Sequence, residues 1–250
     1  NTGALTLKPK CVDTYYLYDK QLETLSCGRG CAAATQCGDT PVPPEHLQAC
    51  RYCADSGASC KTSGKTGKGV PNTDFILYIS ARETPRCDRN DTIAYAAHCQ
   101  LEKQYDRPIA GHVNLCPTAL SLHAHDQEVL SSTIKHEILH ALGFSAGLFA
   151  FWRDENGKPR TKRSHYGKPL EMDRAKGYYK WDKNTINNIA RPDWWTADGS
   201  VVHVVQMMVT PKVREEARRH FNCASLEGAE LENQGGDGTA LTHWEKRVFE

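Results

Sequence analysis

The sequence predicts an α+β fold stapled by disulfides, and three observations carry that expectation. Short apolar runs rich in β-formers read as strands at Phe75–Ile79, His112–Leu115 and Val201–Val209. One stretch, from about Asp126 to Leu142, has helical periodicity instead. Ten of the eleven cysteines lie in the first 116 residues, a clustering that reads as cross-linking in an oxidising compartment.

In chain order, the first 70 residues are rich in Cys, Gly, Pro and Thr and lack periodicity, so loops and short strands held by disulfides are expected. Cys50-Arg-Tyr-Cys53 has the spacing of a zinc-thiolate pair, but no second such pair follows. Ser63-Gly64-Lys65-Thr66 resembles the close of a phosphate loop and fails as one, because position 59 is Ser where a glycine is required. Val70-Pro71 breaks the chain before the buried strand at Phe75–Ile79. Asn90-Asp91-Thr92 is the one glycosylation sequon. A second strand covers His112 to Leu115 and stops at Cys116-Pro117.

The helix that follows has Asp126 as its expected cap and Glu128 in its first turn. Val129, Leu130, Thr133, Ile134, Ile138 and Leu142 form its expected buried stripe, and Gly143 sits where a helix-ending glycine belongs. Residues Ala150–Ser200 are polar, irregular and rich in Trp and Tyr, and read as a long insertion. Val201–Val209 is a strand, Pro211 opens a charged helix through Arg219, and Gly235-Gly236-Asp237-Gly238 is a turn. No internal repeat is evident.

Composition excludes several classes. At 250 residues the chain could be one large domain or two small ones, and it can bury a sizeable core. With 31 basic against 30 acidic side chains, no net positive field is available for nucleic acid. No run of 18 apolar residues spans a membrane. The chain begins at Asn1 without Met or a signal-peptide pattern, which reads as a processed or partial chain.

His136-Glu137-Ile138-Leu139-His140 carries the chemistry. Two histidines four apart on a helix project from one face and can share a zinc ion. The Glu between them is placed to take a proton from a water and pass it to a leaving amine. Chance produces this pattern in roughly three chains per hundred of this composition. A catalytic zinc needs a third protein ligand. Gly143 fits the extended motif in which a third histidine follows closely, but Ala146 occupies that position. Glu155 or Glu171 would serve if the third ligand were a carboxylate, and a histidine displaced by an insertion is the remaining route.

That last route brings a resemblance. His136 to Phe144 is similar to the leishmanolysin family of zinc endopeptidases, a branch of the metzincins, and the similarity is strongest to its animal members. Ala94 to Cys99, Arg107 to Gly111 and Phe221-Asn222-Cys223 also resemble that family. So does Leu231-Glu232-Asn233-Gln234-Gly235-Gly236-Asp237-Gly238-Thr239, which leads to His243-Trp244-Glu245. The resemblance covers most of the chain and is weakest from about Phe151 to Ser200. It implies a metzincin-like architecture in two subdomains: 1–143, a twisted mixed sheet with the active-site helix, and 144–250, the long insertion and a smaller C-terminal part that returns His243. It implies one Zn²⁺ held by His136, His140 and His243, with Glu137 catalytic, polypeptide substrates, and a link to cell adhesion and migration. The family's methionine turn follows its third histidine, and no Met follows His243. Secretion or the cell surface is the expected location, with an intracellular one as alternative, and a lipid anchor would lie in a further segment. An inactive adhesion or scaffold module is the alternative reading of function.

Three other features have simpler readings. His123-Ala124-His125-Asp126 could form a second metal site but reads as a polar loop. His203 lies within a strand. Arg214 to His220 is a solvated charged face.

Overall fold

The computed structural model describes residues 3–13, 27–54, 59–88, 92–121, 123–165, 167–233 and 239–249. The chain divides into two compact units, Asn1–Gly143 and Phe144–Glu250. The sequon at Asn90-Asp91 and the turn at Gly235–Gly238 lie outside the described residues.

The first unit begins with two small hairpins: β1 (Gln36–Cys37) with β2 (Thr40–Pro41), and β3 (Cys50–Ala54) with β4 (Ser59–Ser63). Its main sheet holds β5 (Ile76–Ala81), β6 (Ala94–Leu101) and β7 (Pro108–Leu115) in the order β5-β7-β6. The β5–β7 pair is parallel and the β6–β7 pair antiparallel, so the sheet is mixed as expected. Central β7 is buried from Pro108 to Asn114, which explains why it runs longer than the expected His112–Leu115. Proline is tolerated there because it is the strand's first residue. In β5 burial alternates instead: Ile76 and Tyr78 face the core, whereas Ile79 is exposed. The apolar run at 75–79 is therefore only half buried, since successive strand residues point to opposite faces.

Leu7, Cys37, Val42, Ile76, Tyr78, Ile109 and Ala110 form this unit's core. Five disulfides reinforce it: Cys11–Cys27, Cys31–Cys50, Cys37–Cys99, Cys53–Cys60 and Cys87–Cys116. Cys50 and Cys53 belong to different bridges, which removes the zinc-thiolate reading. Cys223 is the one free cysteine among the described residues.

Helix α1 (Gln127–Leu142) packs on β6 and β7. Two expectations about it are corrected. Asp126 does not cap the helix, because a short 3₁₀ turn over Ala124–Asp126 precedes it and leaves Asp126 in a helical conformation. The Asp126 carboxylate accepts instead from the Ser121 hydroxyl. The buried face also lies further round than the apolar spacing suggests. Val129 and Leu142 are exposed, while Glu137 and Ala141 are buried. Gly143 closes the helix as expected, with a φ of 149° and its N–H donated to Leu139 O at 3.1 Å.

The second unit contains α2 (Ala146–Phe149), the short pair β8 (Met172–Asp173) and β9 (Tyr178–Tyr179), then β10 (Ile186–Thr196), β11 (Gly199–Met208), α3 (Pro211–His220), β12 (Ala229–Leu231) and α4 (Lys246–Phe249). Strands β10, β11 and β12 form an antiparallel sheet in that order. Sequence reading missed β10, because Asn187, Asn188 and Pro192 are poor strand formers. Its ladder shifts register between Arg191 and Trp194, and that irregularity accommodates the proline. Ala146, Phe149, Ile186, Met208, Leu231 and Leu241 form the core, with Phe144, Trp152 and Trp181 packed on it.

The 150–180 stretch is also more regular than expected. Gly157, Gly167 and Gly177 each adopt positive φ, at 77°, 74° and 75°. They close successive turns: Gly157 N–H donates to Asp154 O, Gly167 N–H to Ser164 O and Gly177 N–H to Asp173 O. A pairing brackets each turn, at Arg153–Pro159, Arg163–Pro169 and Met172–Tyr179. The chain thus carries three turns whose glycines stand ten residues apart. The repeat escapes a sequence scan because only the glycine and, twice, the following Lys-Pro recur.

Candidate metal centre

Helix α1 carries the first two expected ligands, His136 and His140. Their spacing of four places both imidazoles on one side of the helix. His136 Nε2 and His140 Nε2 stand 3.0 Å apart, with the rings edge to face. Two nitrogens bound to one tetrahedral ion at about 2.0–2.1 Å are separated by about 3.3 Å. The pair therefore fits a shared metal ion with small ring adjustments.

Glu137, next to the histidine pair around the helix, is 9% exposed. The Ala96 backbone N–H in β6 donates to its carboxylate. Burial is the larger influence and pushes the carboxyl up to about 7, against the lowering effect of that hydrogen bond. Glu137 is thus tied to the edge strand, on the face of α1 that the sheet covers.

Gly111 makes this approach of helix to sheet possible. A Cβ at Gly111 would lie 2.9 Å from Ala141 Cβ, 2.9 Å from Phe75 Cζ and 3.1 Å from Ala97 O. Only glycine leaves room for α1 at that depth.

His243, in the second unit, is held by the chain around it. Backbone bonds close the segment that carries it: Glu232 N–H donates to His243 O at 2.9 Å and Leu241 N–H to Glu232 O at 2.8 Å. Glu245 N–H donates to Glu230 O at 3.0 Å, extending the pairing from β12. His243 Nδ1 lies 2.9 Å from Thr239 O. A carbonyl only accepts, so Nδ1 carries the proton and Nε2 keeps a lone pair for a ligand. Metal-binding histidines are commonly oriented in this way.

The carboxylate alternatives are engaged elsewhere. Glu155 lies 3.9 Å from Arg160 and Glu171 3.2 Å from Lys180, and both carboxylates are exposed. His123 and His125 stack at 5.5 Å between ring centroids and Asp126 Oδ1 lies 3.2 Å from His125 Nε2, but the three do not gather their ligand atoms around one point as a metal ion requires. His203 lies in β11 opposite Arg191. Sequence reading quoted Glu232 without giving it a role, and it missed the Ala96 N–H. A backbone donor leaves no signature in residue type.

Residues 36–250 match the family model for leishmanolysin. The chain belongs to the leishmanolysin family. It is 57% identical over its whole length to a leishmanolysin-like peptidase of Caenorhabditis elegans, of which it covers 37%. A ciliated left-right organizer metallopeptidase of Xenopus laevis is 30% identical over 86% of the chain, which covers 26% of that relative. Leishmanolysin of Leishmania donovani is 26% identical over 84% of the chain, which covers 25% of it. The chain thus spans between a quarter and a little over a third of the length of these relatives. Membership implies a metal, and the α1 histidine pair is the donor set within the first unit that suits one. No helix among the described residues is long and apolar enough to cross a membrane.

Proposed function

We propose that the chain is the catalytic part of a zinc-dependent endopeptidase that hydrolyses peptide bonds in proteins. The observation that carries this reading is the α1 arrangement: His136 and His140 with Nε2 atoms 3.0 Å apart, and buried Glu137 between them in sequence. His136, His140 and His243 hold the metal, and Glu137 is the catalytic residue. Three neutral imidazoles with one open position suit Zn²⁺. When bound, the metal supplies Lewis acidity toward the attacking water and the scissile carbonyl. Glu137 accepts the proton of that water and then delivers it to the leaving amine. Its hydrogen bond from Ala96 holds the carboxylate in one orientation during both transfers.

The two subdomains of this reading are 1–143, with the catalytic helix, and 144–250, which returns His243. Substrates are polypeptides, and nucleic acid has no role. The five disulfides support a secreted or cell-surface location, since such bridges persist in oxidising compartments. A link to cell adhesion rests on family resemblance.

Zinc stoichiometry of the purified chain beside His243→Ala tests the reading. One zinc per chain, lost or greatly weakened in the variant, is the expected result. Zinc retained by the variant would overturn the assignment of His243. No zinc in the unchanged chain would overturn the metal reading.

A further inference from the structure

Glu232 is 4% exposed, an unusual environment for a carboxylate. Its Oε2 has no hydrogen-bond partner among the described residues. That oxygen lies 3.8 Å from His243 Nδ1, and Oε1 lies 3.7 Å from Lys246 Nζ, whose side chain is 57% exposed. A buried carboxylate with one oxygen unbonded costs stability unless it serves another purpose. The simplest structural purpose is an ion pair with Lys246, but a solvated lysine gives little in return. The geometry around His243 offers a better account.

Two acceptors lie within hydrogen-bond reach of Nδ1, Thr239 O at 2.9 Å and Thr242 Oγ1 at 3.3 Å, and the Glu232 Oε2 stands behind them at 3.8 Å. The Thr242 hydroxyl donates its own proton to Thr239 O at 3.1 Å, so its lone pairs remain for Nδ1–H. The carbonyl and the hydroxyl fix the ring's orientation. The carboxylate adds a negative charge behind the ring, on the side away from Nε2. That charge favours the Nδ1–H tautomer, and it offsets positive charge delivered at Nε2 through the conjugated ring.

We propose that Glu232 is a positioning residue for His243, holding it as the Nδ1–H tautomer with Nε2 presented as a metal ligand. This rests on the reading of His243 as a ligand. Glu232 reaches no substrate or metal itself and acts through the imidazole. The backbone bonds between Glu232 and His243 fix the acid and the ring in the same ladder, so neither can shift without the other.

The test uses the full chain in four forms: unchanged, Glu232→Gln, Lys246→Met and His243→Ala. Zinc affinity is measured by competition with a chromophoric chelator. The His243 ring nitrogens are observed by ¹⁵N NMR on metal-free protein. Glu232→Gln keeps the shape and removes the charge. It is expected to weaken zinc binding roughly 10- to 100-fold and to move the two ring nitrogen shifts toward each other, as a mixture of tautomers does. Lys246→Met is expected to leave both readouts unchanged. Glu232→Gln with normal zinc affinity and an unchanged tautomer would overturn the proposal, even if its thermal stability fell. His243→Ala binding zinc as tightly as the unchanged chain would overturn the ligand reading beneath it. Weak binding by His243→Ala beside normal binding by Glu232→Gln would sink the positioning role alone. Should Glu232→Gln not fold, Glu232→Asp, which retracts the charge by one methylene, is read by the same two measurements.

Discussion

Gly111 in β7 and Ala141 in α1 fit together by subtraction: a methyl group on the glycine would fall 2.9 Å from the alanine Cβ. Helix α1 approaches the sheet as closely as it does because neither residue has bulk to give. Glu137 and Ala141 share that buried face, so a shift of the helix there also moves Glu137 relative to the Ala96 N–H.

Gly111→Ala is therefore expected to cost about 1–3 kcal/mol through overpacking, and Gly111→Val more. Chemical unfolding of the metal-free chain measures the loss. Proteolysis should fall further than metal affinity, because the Glu137 carboxylate is displaced while the His136–His140 spacing is set within the helix. Unchanged stability in Gly111→Val would show that α1 stands further from β7 than the structure has it.

Glu137→Gln removes the proposed base and keeps the volume. Peptide hydrolysis is expected to drop by roughly 10²- to 10⁴-fold or more, with zinc content unaltered. Activity of the variant against a quenched fluorescent peptide, beside its metal analysis, checks both halves. Activity near that of the unchanged chain would remove Glu137 from the chemistry.

Stability should depend on pH through His98 and His112. Burial is the first cause for both, and it holds each imidazole below its ordinary 6.5. For His112 the Asp39 carboxylate opposes this and Arg86 adds to it. The unfolded chain accepts protons near pH 6.5 that the folded chain refuses, so the stabilisation is present above that pH and is lost as pH falls below it. Glu137, raised to about 7 by burial, works in the opposite direction, so the histidine contribution is read by difference: between about pH 7.5 and about pH 5 the urea midpoint of the unchanged chain is expected to fall relative to that of His98→Gln. The same pH dependence in both chains would contradict the burial of His98.

The disulfides should differ in weight. Cys37–Cys99 closes a separation of 62 residues and joins β1 to β6, whereas Cys53–Cys60 closes 7 within one hairpin. Chain entropy predicts roughly 4 kcal/mol for the first and about 2 kcal/mol for the second. Paired Cys→Ala variants, compared by chemical unfolding, should rank in that order. The reverse order would mean that strain or denatured-state structure outweighs loop length.

Much of the first unit was legible because its signals are local. The helix announces itself by periodicity and Gly143, and the cysteines by clustering. The His-Glu-x-x-His spacing needs only the geometry of one helical turn. What stayed hidden depends on partners distant in sequence. Val129 and Leu142 looked buried because spacing records apolar residues and not the helix's rotation on the sheet. That rotation is set by Gly111, and it turns a charged residue, Glu137, inward. Strand β10 was missed because pairing with β11 supplies what Asn187, Asn188 and Pro192 lack in propensity. No spacing rule reaches His243 from His140. Family resemblance nominated it, and its Nδ1–H contact with Thr239 then supplied a local physical reason.

The three glycine-closed turns at 157, 167 and 177 bear on how this region can change length. Each is a hairpin bracketed by its own pairing, closed by a main-chain bond to an acceptor three or four residues back. Such a module carries its closure with it, so the natural quantum of insertion or deletion is a whole turn of about ten residues. Shorter changes would strand a glycine away from the position that needs its positive φ. Length variation among homologous chains in this stretch should therefore fall near multiples of ten.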